Sequence, residues 1–186
     1  MISPAPSQYA LNTLKKLHSA RAKPSALKGF SLVELMVAIA VLGILTTIAI
    51  PSFKETILNF KLRSYANALV SNVYLARSEA IKANAPVTLC VSTNGTSCAA
   101  GGWEQGWIVL SGTTVVQRQQ ALTTGYKITD STGLSSLTFQ STGIGSTQAT
   151  LTICRATPEV GSQERVVTIS ATGRPSVSKT TAGTCA

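Results

Sequence analysis

One carboxylate, Glu34, stands near the start of GFSLVELMVAIAVLGILTTIAIP, residues Gly29 to Pro51, where almost every other side chain is apolar. A charge inside such a segment costs roughly 2.5 to 3.5 kcal/mol on insertion scales, so it asks for a partner. No Lys or Arg follows within two helical turns. A cut before Phe30 would create an α-amino group four residues upstream of Glu34. On a neighbouring copy, that cation would neutralise the carboxylate when helices pack side by side. Glu34 would then be an assembly device and no catalyst.

The remaining reactive side chains do not combine. The single histidine, His18, precedes the apolar run, and the acids beyond it stand apart at Glu55, Glu79, Glu104, Asp130, Glu159 and Glu164. No triad or carboxylate pair follows from that spacing, and neither GxxxxGKS nor a DxDxDG-like loop occurs. An enzyme is not expected, and no cofactor either. The four cysteines, Cys90, Cys98, Cys154 and Cys185, include no CxxC and have no histidine beyond the span to join them, so a metal site is not expected. All four follow the span, where an oxidising compartment favours disulfides. Three pairings are open. Cys90 with Cys98 closes a hairpin-sized loop and Cys154 with Cys185 fastens the tail to a strand, which makes this pairing the favoured one. The last charged stretch is TGRPSVSK, Thr172 to Lys179: no acid follows Glu164, while Arg165, Arg174 and Lys179 supply three cations that could meet phosphates. The competing reading is a soluble tail in which Gly173 makes a turn and Pro175 stops a strand.

With 186 residues, 44% apolar and 12% charged, the chain suits one globular domain plus one membrane element. Its net charge of +9 suggests nucleic acid until it is mapped. Lys15, Lys16, Arg21, Lys23 and Lys28 all precede the apolar run and meet no acid there, so much of the charge is a targeting signal. Phe30 to Ile50 is long enough to cross a bilayer, and lysines ahead of it hold the N-terminus in the cytoplasm. A cleaved secretory signal would have a shorter core and a small-residue site after it. Here Pro51-Ser52-Phe53-Lys54 follows and the helical pattern continues. A plain signal anchor is the alternative on hydropathy alone.

The octapeptide KGFSLVEL, Lys28 to Leu35, resembles the class III signal of type IV pilins and type II secretion pseudopilins. The resemblance implies a leader over residues 1–29, cleavage by a prepilin peptidase between Gly29 and Phe30, N-methylation of Phe30, and docking of Glu34 on a neighbouring subunit's amino terminus. Gly43 and Pro51 fall where pilins loosen or kink the helix, as both residues tend to do. The leader is longer than many in the family.

Past the membrane, Ser52 to Ala85 lacks Gly and Pro, while Phe53, Ile57, Phe60, Tyr65, Leu69, Val73, Ala76 and Ala80 recur at mostly three- and four-residue intervals. This predicts one helix from about Phe30 to Ala83, its first part (30–51) in the membrane or filament core and its second (52–85) laid on a domain by that stripe. Asn84-Ala85-Pro86 ends it. Residues 86–186 change texture to short β-type runs, PVTLCVS, QGWIVLS, TVVQRQQ, LTFQ, ATLTICR and RVVTISA, with turns between them. The expected class is α+β, a long helix packed on an antiparallel sheet. Trp103 and Trp107 are expected in the core.

The C-terminal half resembles, more loosely, the FimT/GspH group of minor pilins and pseudopilins, in Trp103 and Trp107 around Gly106 and in VVTISATGRP. That resemblance implies a minor pilin of a type IV pilus, acting in assembly or at the tip, or alternatively a GspH-like pseudopilin in protein export. Partners would be other pilin or pseudopilin subunits, the peptidase and the inner membrane, with the domain in the periplasm. DNA-binding members of the group carry a G-R-x-R tail. Gly173-Arg174-Pro175 matches its first three places and Ser176 replaces the second Arg. Weak, sequence-independent binding of double-stranded DNA is implied, centred on Arg174 with Arg165 and Lys179 assisting.

Overall fold

The structure is a computed structural model that describes residues 29–145, 147–181, 183 and 185. The expected leader, apart from Gly29, lies outside them. Helix α1, Leu32–Ala83, runs for 52 residues with Pro51 inside it. Its end follows from Asn84, which takes φ 46°. The amide of Asn84 bonds the carbonyl of Ile81 and that of Ala85 bonds Ala80, the paired bonds that satisfy the last free carbonyls of a helix.

The chain divides into two compact units, up to Thr46 and from Thr47 onward. The helix from Leu32 to Ile50 is wholly exposed and apolar enough to cross a membrane. The second unit holds the rest of α1 and eight strands: β1 Val87–Val91, β2 Trp107–Ser111, β3 Thr114–Gln119, β4 Tyr126–Asp130, β5 Ser136–Phe139, β6 Ala149–Arg155, β7 Glu164–Ile169 and β8 Pro175–Thr180. They pair antiparallel in two four-stranded sheets, ordered β3-β2-β1-β5 and β4-β6-β7-β8. A single sheet was expected. Two strands are additional to the sequence reading, and both have weak signals. YKITD carries charges at each end of its apolar centre, and PSVSKT has one large apolar residue, so its order comes from main-chain pairing with β7. Pro175 begins β8 where a strand stop was the competing expectation. The first residue of an edge strand is a place where a missing N–H costs little.

Leu58, Leu62, Ala66, Leu69, Val73, Ala76 and Ala80 of α1 meet Val87, Leu89, Trp107, Leu137, Phe139, Leu151, Ile153, Val167 and Ile169 in one core. This corrects the first part of the predicted stripe. Phe53, Ile57 and Phe60 are 69%, 56% and 66% exposed, and the buried row starts instead at Leu58. At 100° per residue the two rows lie roughly half a turn apart, so only one faces the sheets. The helix is held on that side by polar contacts as well: the Ser162 hydroxyl bonds Glu55 Oε2, and Arg165 bonds Asn59 Oδ1. Trp103 and Trp107 are buried as expected, with Trp103 Nε1 donating to the Leu134 carbonyl at 2.7 Å.

Candidate functional site

The residues expected to serve processing and assembly, Gly29, Phe30 and Glu34, sit together at the start of α1. Among the described residues, no atom outside its chain neighbours lies within 4 Å of where a Cβ on Gly29 would stand. Phe30 is 71% exposed. The helix begins two residues later, with the Leu35 amide bonding the Ser31 carbonyl at 3.1 Å. Glu34 lies in the first turn, where the unpaired amides of a helix N-terminus favour an anion. Among the described residues it forms no salt bridge. Pro51 contributes no N–H to the helical ladder, and Gly43, with nothing packed on it, leaves the carbonyl that the Thr46 hydroxyl bonds at 2.8 Å.

Both disulfides lie in the second unit and join Cys90 to Cys98, Cα atoms 5.5 Å apart, and Cys154 to Cys185, 5.7 Å apart. Cys154 alternates with the core residues Ile153 and Leu151, so it leaves β6 on the outer face. The bridge therefore straps the tail across the outside of the sheet. Glu164, on that same outer side of β7, is 2% exposed and accepts the Thr180 hydroxyl at 3.0 Å.

The four tail residues expected to meet DNA are not brought together. Arg165 is 8% exposed, with its guanidinium turned inward to Asn59 and to the Glu164 carbonyl at 3.1 Å. Burial first, and then the charge of Arg63, hold its pKa below the usual arginine value. Its odd register in β7, shared with Val167 and Ile169, puts it on the core side, and a charge in that place must be bonded. Gly173 is buried too. It takes φ 72° at the β7–β8 turn, and a Cβ there would meet the Gly143 carbonyl at 2.8 Å. It is a packing glycine, and its amide is already bonded to the Ser170 carbonyl at 2.8 Å. Arg174 and Lys179 are exposed, but they stand at opposite ends of β8, roughly 16 Å apart at the rise of a strand. Two separated cations are not a patch.

Sequence reasoning missed the residues that hold the helix to the domain. Glu55 and Asn59 fall on the buried side of α1, one row with Leu62 and Ala66, and polar residues on an otherwise apolar face were the available signal. Tyr65 was counted in the stripe for its ring, which meets Tyr126 edge-on at 5.4 Å. Its hydroxyl also bonds the Thr123 hydroxyl at 2.9 Å and accepts the Thr123 amide at 3.1 Å, fixing the turn before β4. Burial pushes the Tyr126 hydroxyl pKa up, against the lowering charge of Arg155. A cleft of about 310 Å³ beside Trp103 is lined by Glu104, Lys127 and Asp130. Asp130 Oδ2 is committed there to the Thr132 amide, the Thr132 hydroxyl and the Leu134 amide, which makes it a turn clamp.

The prokaryotic N-terminal methylation motif matches residues 25–50. Type IV minor pilin FimU of Pseudomonas aeruginosa PAO1 superposes with a TM-score of 0.51 at 21% identity, over 64% of this chain and 90% of that one, which supports the fold. The minor pseudopilin EpsH from the type 2 secretion system of Vibrio cholerae aligns with a TM-score of 0.43 at 16% identity, over 65% and 97%. The family described as type II transport protein GspH matches residues 65–173, more than half of the chain and most of the domain built from both sheets. The chain belongs to the GspH family, and its fold is pilin-like.

Proposed function

We propose that this chain is a minor subunit of a type IV pilus, entering its assembly or tip complex. A prepilin peptidase cuts between Gly29 and Phe30 and methylates the new amino group. Lysines ahead of the span and disulfides after it suit a single pass through the bacterial inner membrane, with the domain in the periplasm until assembly. Glu34 then pairs with the amino terminus of a neighbouring subunit. The observation that carries this reading is the methylation motif over residues 25–50, which takes in the exposed Phe30 and the start of an exposed apolar helix. A second reading is favoured by the family description: a pseudopilin of a type II secretion machine, acting in protein export. Peptide mass mapping of membranes with active peptidase should find a methylated Phe30 N-terminus. An intact Gly29–Phe30 bond would defeat the processing step. A deletion strain that loses pili but secretes normally supports the pilus; the converse supports the secretion machine.

A further inference from the structure

Phe53, Ile57 and Phe60 form an apolar row beyond the end of the membrane run, on the side of α1 away from its core-packed row. At 100° per residue their directions fall within about 60° of one another. Exposed cations border the row on both sides, Lys54 and Lys61 on one and Arg63 on the other. The nearest acid on the helix, Glu55, is turned to the domain side and holds the Ser162 hydroxyl. The Thr56 hydroxyl, at the row's edge, is already bonded to the Ser52 carbonyl at 2.9 Å. Past Phe60 the same side becomes Ser64, Asn67 and Ser71, all exposed. Lys and Arg beside an apolar row at the end of a membrane span can lay their stems on the apolar side and reach the headgroups with their charged ends. From Phe30 to Phe60 the helix would measure about 45 Å, close to the roughly 40 to 45 Å of a bilayer with both headgroup layers.

We propose that Phe53, Ile57 and Phe60, with Lys54, Lys61 and Arg63 at their borders, form a membrane-contact face that seats the start of the domain on an anionic lipid surface. The proposal rests on the membrane-anchored reading above and adds where the anchor ends. The aromatic rings and Ile57 enter the layer between headgroups and acyl chains, and the ammonium and guanidinium groups meet lipid phosphates. Two features on the helix choose lipid over a second copy of this chain. The row stops after two turns, where a bilayer would stop, and the charged groups at its borders are all cations, which would repel the same borders of another copy.

The full chain, with its cysteines all in disulfides, accepts one introduced thiol for a nitroxide label. Phe53→Cys, Ile57→Cys, Phe60→Cys, Ser64→Cys and Asn67→Cys are reconstituted in nanodiscs of phosphatidylcholine with and without phosphatidylglycerol. Dissolved oxygen should relax the first three labels more than an aqueous nickel chelate does, and the order should reverse at Ser64 and Asn67. Adding Lys54→Glu with Lys61→Glu should lower the oxygen-to-nickel ratio at residue 57 at least severalfold in the anionic discs, and little in neutral ones. Nickel dominating at all five positions would overturn the proposal. So would low access to both agents at 53, 57 and 60, because that reports cover by another protein surface. Alkaline carbonate extraction separates the two readings: release from membranes defeats the anchor and this face together, whereas retention with a nickel-accessible face defeats the face alone.

Discussion

Gly173→Ala tests whether the tail's glycine is a packing device. The residue sits at φ 72°, where a side chain costs about 1 to 3 kcal/mol. The added Cβ would also stand 2.8 Å from the Gly143 carbonyl, 3.2 Å from Phe139 Cε1 and 3.3 Å from the Gly145 amide. Two of these three neighbours are backbone and the third is a ring 1% exposed, so none can step aside as a flexible side chain would. Overpacking of this sort adds about 1 to 3 kcal/mol, for a total of roughly 2 to 6 kcal/mol. In a domain of this size that lowers Tm by roughly 5 to 15 °C. Gly133→Ala is the control, since Gly133 has φ 70° with nothing within 4 Å and pays only the backbone term. Thermal unfolding of the full chain in detergent, followed by circular dichroism, compares the two. If both variants lose the same stability, the close approach between the β7–β8 turn and the loop at Gly143 contributes nothing, and the reasoning fails.

Arg165→Ala should destabilise the domain by about 1.5 to 3 kcal/mol through its lost charge-assisted bonds, while Arg174→Ala stays within about 0.5 kcal/mol. Neither should change retention of duplex DNA at moderate salt, and a selective loss of retention in Arg174→Ala would restore the tail as a DNA contact. Cys154→Ser should cost roughly 2 to 5 kcal/mol in thermal unfolding and open the tail to protease near Lys179. Cleavage no faster than in wild type would show that the strap is held without the bridge. Glu34→Ala should insert into membranes at least as well as wild type yet enter filaments poorly, measured by immunoblot of sheared fibres. Equal incorporation would remove the pairing role.

The expectation for Glu34, Gly29 and Phe30 needed no packing, because the proposed processing and insertion would act on a linear segment whose own chemistry suggests them, and the methylation motif matches that segment. The long helix was legible for a similar reason: an unbroken apolar run followed by a three-to-four periodicity needs no tertiary partner to declare itself. Loop length likewise favoured the pairing of Cys90 with Cys98. What the linear chain left open was which side of α1 the domain covers. Phe53, Ile57 and Phe60 and Leu58, Leu62 and Ala66 satisfy the same periodicity, and only the position of the two sheets, with Ser162 and Arg165 reaching Glu55 and Asn59, selects the second row. The tail was undecided in the same way. Arg165 and Arg174 are equal cations in the sequence, but the pleat of β7 turns Arg165 toward the core side while the turn leaves Arg174 in solvent. Strand alternation assigns a residue to one of two faces, and it takes the assembled sheets to say which face is the inside.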